Sequence, residues 1–322
     1  MKIFIAGASG TIGRALIPQL VKAGHAVTAL SRTPQKLAIL QQMGATPVLG
    51  DVFDRPHLNR LMADAAPDVV IHQLTSLGAK AQDPFTETNR LRIEGTANLI
   101  HAAQTVQVQR FIAQSVAFLC QSPDRELDGK LTNEDTPLYM EAPSPLTSVV
   151  EAVASLEQQV RSLTGMTGIV LRYGHFYGPG TYYDEQGAIA TAIRQGHYPI
   201  VDQGQGTCSF IHIEDAAAAT VQATTQGPSG IYTIVDDQPV LLRKWVSDYG
   251  RLLQAPAPQV LSQEMAHTTL DPFSLYFATR QQGATNQKAR QILDWQPRYS
   301  NWHDGFQAML AHTHEQPAEL IR

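Results

Sequence analysis

The chain has 322 residues, 43% hydrophobic and 16% charged, with a formal net charge of −5; this is the make-up of a globular protein with room for one large domain and a smaller lobe. The acidic balance, with no Lys/Arg cluster, argues against nucleic acid as a partner, and no apolar run approaches the roughly 18 residues of a membrane helix. The first residues enter a strand-like run without a targeting pattern, and Cys120 and Cys208 stand far apart without metal-ligand spacing, so buried thiols, a cytoplasmic setting and no metal site are expected.

In chain order, residues 2–6 (KIFIA) are a short apolar run that predicts a buried strand, and residues 11–23 carry Ile12, Leu16, Leu20 and Val21 at helical spacing. Between them lies Gly7-Ala8-Ser9-Gly10-Thr11-Ile12-Gly13. A glycine turn from strand to helix lets the backbone approach a pyrophosphate, whose charge suits the free N–H groups and dipole of the helix start. An ordinary strand–helix turn would use the same glycines for packing alone. Further strand-like runs fall at 26–30, 46–49, 69–73, 111–115 and 169–172, separated by helical stretches at 35–43, 55–65, 87–105 and 146–162. The alternation predicts an α/β fold: a parallel sheet covered on both faces, with ligands bound beyond the carboxyl ends of its strands. The second half is less regular, with helices at 187–195 and 215–225, a strand at 230–235, a Pro/Ala connection at 255–258 and a last helix at 302–312.

The second strand ends in Ala29-Leu30-Ser31-Arg32-Thr33, with no Asp or Glu beside it in sequence to take ribose hydroxyls. Arg32 offers a fork for a 2′-phosphate, and Ser31 and Thr33 can add hydrogen bonds, so NADP(H) is expected over NAD(H). A solvated surface arginine is the plain alternative. Asp51 ends the third strand, placed either to meet an adenine amine or to cap the next helix.

With these residues in view, the chain resembles the extended short-chain dehydrogenase/reductase family, the epimerase- and dehydratase-like group. The likeness covers nearly the whole length. It rests on Gly7/Gly10/Gly13, Gly50-Asp51, Glu94-Gly-Thr-Ala-Asn-Leu99, Arg110-Phe-Ile-Ala-Gln-Ser115 and Leu171-Arg-Tyr-Gly-His-Phe-Tyr-Gly-Pro-Gly180. It continues through Phe210-Ile-His-Ile-Glu-Asp-Ala-Ala217, Gly230-Ile-Tyr-Thr-Ile-Val235 and Asn286-Gln-Lys-Ala-Arg-Gln-Ile-Leu-Asp-Trp-Gln-Pro297. The resemblance implies a Rossmann-type doubly wound domain over 1–173 with a returning segment at 209–235. A smaller C-terminal substrate lobe would comprise 174–208 and 236–322. It implies cofactor contacts at Gly7, Ser9, Gly10, Thr11, Ile12, Gly13, Arg32, Asp51, Val52, Leu74, Gln114, Ser115, Tyr173, Gly174 and His175. Many relatives pair through two helices, and the stripe Val149, Val153, Leu156, Val160 would suit such a homodimer or simply pack on the sheet.

The chain departs from the family at the chemistry. Typical members carry Tyr-x-x-x-Lys on one face of the helix after the fifth strand, where the lysine and the cofactor lower the tyrosine pKa for proton transfer to a carbinol oxygen. Aligning Glu157 with the family's glutamate places Val149 at the tyrosine and Val153 at the lysine, and no lysine in the chain has a tyrosine four residues before it. The helper serine falls near Val116, beside Ser115, and the usual asparagine falls on Arg92. The arginine that grips the pyrophosphate of sugar nucleotides is replaced within Thr207-Cys-Ser209, which argues against such substrates.

Hydride transfer to a carbonyl still needs a donor near the developing oxyanion. His175, with a pKa expected near the working range, and Tyr183 are the candidate catalytic residues. Arg92 could bind an anionic substrate, or pair with Glu151 or Glu94 at the surface. The run Pro272-Phe-Ser-Leu-Tyr-Phe-Ala278 would suit a lid or a subunit contact. The expected function is an NADP(H)-dependent oxidoreductase of atypical mechanism, acting on a small carbonyl or an activated double bond whose delocalised product needs little acid assistance. A non-catalytic NADP(H) redox sensor, or a lyase or isomerase on the same fold, is the alternative.

Overall fold

The computed structural model describes residues 1–77, 84–122 and 130–315. Its central strands are apolar on both sides because both sides are covered by helices: Phe4, Ile5, Val70, Ile71, Phe111 and Ile112 are wholly shielded from solvent. Among the described residues the sheet has seven strands, β1 (Lys2–Ala6), β2 (Ala26–Ser31), β3 (Thr46–Leu49), β4 (Val69–His72), β5 (Arg110–Val116), β6 (Thr167–Tyr173) and β7 (Gly230–Ile234), in the order β7-β6-β5-β4-β1-β2-β3. Every pairing is parallel: Ile3 stands opposite Val27 on one side and Val69 on the other, and Gln114 opposite Leu171. The winding reverses between β1 and β4, which opens a crevice beyond their carboxyl ends.

The covering helices in the first half are α1 (Thr11–Lys22), α2 (Leu37–Gln42), α3 (Arg55–Ala65), α4 (Pro84–Arg90), α5 (Thr96–Thr105) and α6 (Leu146–Arg161). The single helix expected over 87–105 is α4 and α5 joined by a π-helical turn, Leu91–Gly95. Helical periodicity does not reveal such a turn, because it adds one residue without ending the helix; π turns are frequent at functional sites. On α6 the stripe Val149, Val153, Leu156, Val160 is buried against β5 and β6. Within the single chain the stripe is thus packed, Leu156 and Val160 on the sheet and Val149 and Val153 beyond the end of β5.

The second half holds α7 (Ala188–Arg194), α8 (Ile213–Ala223), α9 (Leu242–Leu252), α10 (Gln263–Thr269), α11 (Pro272–Thr279), α12 (Gln287–Ile292) and α13 (Trp302–Glu315). α8 starts two residues earlier than expected because His212 caps it, its Nδ1 accepting from the Glu214 N–H at 3.2 Å. α9 escaped the sequence reading: its apolar spacing (Leu242, Trp245, Val246, Tyr249) is helical, but Leu241 at its start provides no side-chain cap. These helices enclose a second core in which the Phe210 and Trp245 rings lie 5.6 Å apart and those of Tyr249 and Phe306 4.5 Å apart. The run 272–278 is packed against the rest of the fold through its aromatic residues. It forms α11, whose Tyr276 hydroxyl donates to the Phe118 carbonyl at 2.9 Å and whose Phe273 stacks on Phe85.

Candidate active site

The crevice begins at the glycine turn, where each glycine has a separate physical reason. Gly7 adopts φ +93°, and a Cβ there would lie 2.4 Å from the Gln73 carbonyl oxygen in the loop after β4. A Cβ on Gly13 would lie 2.2 Å from the Ala8 carbonyl oxygen, so only glycine lets α1 pack this close to the turn. Gly10 is the N-cap of α1, without a side-chain cap and without an acidic residue in the first turn. The leading N–H groups of α1, which have no intrahelical acceptor, therefore keep their partial positive charge for an anion. Ser9, Gly10 and Thr11 lie at the surface of the turn, while Ile12 is buried beneath it. The cradle fits the pyrophosphate of a dinucleotide. The Thr11 hydroxyl donates to the Gly180 carbonyl at 3.4 Å, and the Tyr182 hydroxyl to the Leu77 carbonyl, so the segment after β6 reaches across the crevice from both sides.

At the β2 end, Arg32 Nη1 meets Glu87 Oε1 at 2.6 Å, and the other Glu87 oxygen accepts from Ser76 at 2.6 Å. The sequence shows no acid here because Glu87 arrives from α4. The Ser76 and Arg32 hydrogen bonds hold its carboxyl below the usual carboxylate range. Asp51 is not a helix cap. Asp54 caps α3, while Asp51 Oδ1 accepts from the Phe53 N–H at 2.9 Å. Val52 is buried, its carbonyl accepting from Asn98, and the Leu74 N–H donates to His72 Nδ1.

At the opposite end, strand alternation turns Gln114 and Ser115 to different faces. The Ser115 hydroxyl donates to Glu157 at 2.7 Å, and Glu157 also takes two parallel bonds of 2.8 Å from Arg172. Ser115 is thus tied to the scaffold. Tyr173 is likewise internal: its hydroxyl lies 2.6 Å from Thr220 Oγ1 and receives a bond from Gln73, and burial raises its pKa to about 12. Gly174 must be glycine, since a Cβ would sit 2.5 Å from the Ser209 carbonyl oxygen.

His175 stacks on Phe118 with ring centres 4.6 Å apart, and its Nε2 lies 3.1 Å from Gln281 Oε1. Burial pulls its pKa to about 4 against the Gln281 bond that raises it. The expectation of a ring titrating near neutrality is thereby corrected: His175 is neutral there. Tyr183 packs edge-on to Phe210 and Trp245, and burial pushes its phenol well above the usual range.

The structure brings Val116, Val149 and Val153, the residues aligned with the serine, tyrosine and lysine of typical members, into one apolar cluster with Leu119, Tyr276, Phe118, Tyr139 and Phe277. No hydroxyl or ammonium group occupies those three positions. Phe118, Tyr139 and Gln281 were not singled out from the sequence, and Phe277 only as part of the apolar run 272–278. They sit on irregular segments and on α11, whose fold-back over β5 carries no local signal. Thr207, with Gln205, Arg243 and Gln282, lines a separate cleft of about 220 Å³. Among the described residues no group of three or more His, Cys, Asp or Glu is arranged to hold a metal ion, and no helix is long and apolar enough to cross a membrane.

A model of the NAD dependent epimerase/dehydratase family matches residues 3–234. The chain belongs to that family. It is 38% identical, over 95% of its length and 99% of the relative's, to a 3-diazoavenalumate denitrifying reductase of a Streptomyces species. It is 30% identical to a 4-hydroxy-2-methyl-3-oxo-4-farnesyl-3,4-dihydroquinoline-1-oxide ketoreductase of Stigmatella aurantiaca, over 77% of this chain and 72% of that one. The UDP-glucose 4-epimerase of Thermus thermophilus, solved with NAD, shares the fold with a TM-score of 0.75 at 19% identity, covering 98% of this chain and 100% of that one. The protein is an oxidoreductase of the NAD(P)-dependent kind.

Proposed function

We propose that this epimerase/dehydratase-family protein is an NADPH-dependent reductase whose substrate carbon accepts hydride without an oxygen that must be protonated. A diazo-bearing carbon that loses its nitrogen is the best-supported substrate class; an activated double bond, whose delocalised enolate must still take a proton, fits this description less well. The observation that carries this reading is the apolar cluster of Val116, Val149 and Val153 at the site where relatives with Tyr-x-x-x-Lys protonate a carbinol oxygen. A ketone reduced there would leave an alkoxide facing valines, and a buried uncompensated charge is costly. The 38% likeness to a denitrifying reductase over nearly the full length supports the same class.

Bound reduced nicotinamide would supply the hydride. At a diazonium carbon that hydride would form the C–H bond as the C–N electron pair leaves on N2, so the chain's own residues would have no proton to exchange. The chain's own contribution is positional. The glycine cradle holds the pyrophosphate, the neutral His175 and Phe118 form a stacked aromatic wall, and the valines keep water from the reacting carbon. His175 and Tyr183 are assigned here as wall residues that stay in one protonation state through the neutral range, with Gln281 fixing the His175 ring. Sugar nucleotides remain outside this reading, because the 207–209 segment offers no arginine for their pyrophosphate.

The test is a single turnover without oxygen, using NADPH deuterated at nicotinamide C4 and 4-carboxybenzenediazonium, compared with the protein-free rate. The expected result is deuterium at the former diazo carbon, one N2 released per NADPH oxidised, and a rate constant flat from pH 5.5 to 8. Protium at that carbon, or a rate that falls with the titration of a neutral-range acid, would overturn it.

A further inference from the structure

The π turn carries Arg92, which is 7% exposed. Neither partner suggested by the sequence reaches it: Glu94 is paired with Arg90 at 3.0 Å on the outside of the helix, and Glu151 is exposed on α6. Among the described residues no carboxylate and no acceptor side chain bonds the guanidinium, which keeps only slight contact with solvent. The ionisable group nearest in influence is His72, also buried, whose ring Nε2 lies 3.0 Å from Thr96 Oγ1. Burial, and after it the Arg92 charge, hold His72 neutral, and desolvation draws the Arg92 pKa down to about 10.

A buried cation without a partner is among the most costly features a fold can retain, and it is relieved when an anion is supplied. The guanidinium presents its donors as a planar fork matched to a carboxylate. Its surroundings indicate what the carboxylate belongs to. α6 packs directly on the π turn, and the same helix carries Val149 and Val153 into the cluster with Phe118, Tyr139, Tyr276 and Phe277. Tyr139 and Tyr276 stack at 5.8 Å, and Phe118 stacks on His175, so the cluster that α6 shares presents flat aromatic faces.

We propose that Arg92 is a substrate-binding residue that takes the carboxylate of a planar aromatic or conjugated acid, whose body lies on the aromatic cluster. The proposal deepens the reductase reading above and rests on its placement of the substrate pocket. In the typical family arrangement the active-site cation is on the helix of α6. Here the cation has moved to the π turn, and its role has moved from assisting proton transfer to gripping an anion.

The test is a binding experiment that needs no turnover. NADP⁺-saturated protein is titrated calorimetrically with trans-cinnamate and with cinnamamide, and NADPH binding is measured separately. Cinnamate is expected to bind at least tenfold more tightly than the amide, Arg92→Gln to erase that preference with NADPH affinity unchanged, and Arg92→Lys to restore part of it. As a control on folding, Arg92→Leu is expected to keep or raise the thermal midpoint without ligand. Equal binding of acid and amide, a loss confined to NADPH, or a lowered midpoint in Arg92→Leu would each overturn the proposal. A preference for the acid without deuterium transfer would retain this site and remove the reductase reading; deuterium transfer to uncharged substrates alone would do the reverse.

Discussion

At Glu157 a single carboxylate joins three parts of the fold. It is 4% exposed, accepts from Ser115 at the end of β5, and receives both arms of the Arg172 fork from the end of β6. Removing one partner of such a pair leaves the other charge buried and uncompensated, so Glu157→Ala is expected to lower stability by about 3–5 kcal/mol. Ser115→Ala, which deletes one hydrogen bond, is expected to cost about 1 kcal/mol. Urea unfolding of both variants checks this, and a Glu157→Ala loss below that of Ser115→Ala would mean that the triad is not what ties α6 to the sheet. In the sequence, Glu157 served only as an anchor for alignment. Its partner Arg172 lies 15 residues on, across the helix–strand junction, and no spacing rule links the two. Ser115 was legible as a residue at a strand end, but its hydroxyl turns to the scaffold because alternation along β5 sends neighbouring side chains to opposite faces.

Helices and strands were the most legible level. Apolar runs and 3.6-residue periods located β1 to β6 to within two residues at each end, and the glycine spacing placed a tight turn between β1 and α1. What the sequence hid is what arises where elements meet, and the β2 end shows it. Arg32 alone suggests a 2′-phosphate, yet α4 brings Glu87 onto it from 55 residues away at 2.6 Å. A 2′-phosphate would then have to compete with Glu87 for the same guanidinium. Arg32→Ala is expected to weaken NADPH at least tenfold while changing NADH little. Glu87→Gln, which leaves Arg32 free, is expected to tighten NADPH a few-fold. Fluorescence titration of both variants measures the effect. Equal losses for the two cofactors in Arg32→Ala would rule out the 2′-phosphate role, and a Glu87→Gln variant that binds NADPH less well would show that Glu87 orients Arg32 and does not compete for it.

Over the whole molecule, buried ionisable groups set opposing slopes of stability against pH. Burial draws His72, His175 and His212 from the usual histidine value to about 4. Between those values the unfolded chain binds protons that the folded one refuses, so their contribution is fully present above about pH 6.5 and is lost as the pH falls towards 4. Asp236 acts in the other direction. It is 1% exposed, its Oδ2 has no hydrogen-bond partner, and burial, assisted by Asp237 and Asp215, pushes its pKa to about 8. From about pH 4 upward the unfolded carboxyl is ionised while the folded one keeps its proton, so this group lowers stability as the pH rises to 8 and adds nothing beyond. Each group contributes at most about 1.4 kcal/mol per pH unit within its window. Three histidines outweigh the carboxyl below pH 6.5, and above it the carboxyl dominates, which puts the maximum of stability near pH 6.5. Urea midpoints from pH 4.5 to 8.5 should trace that peak. Asp236→Asn keeps an acceptor for the Gln238 N–H, which now bonds Oδ1 at 3.1 Å, and removes the titration. Its curve should rise to pH 6.5 and then stay level, and a decline that persists in this variant would place the alkaline loss on another group.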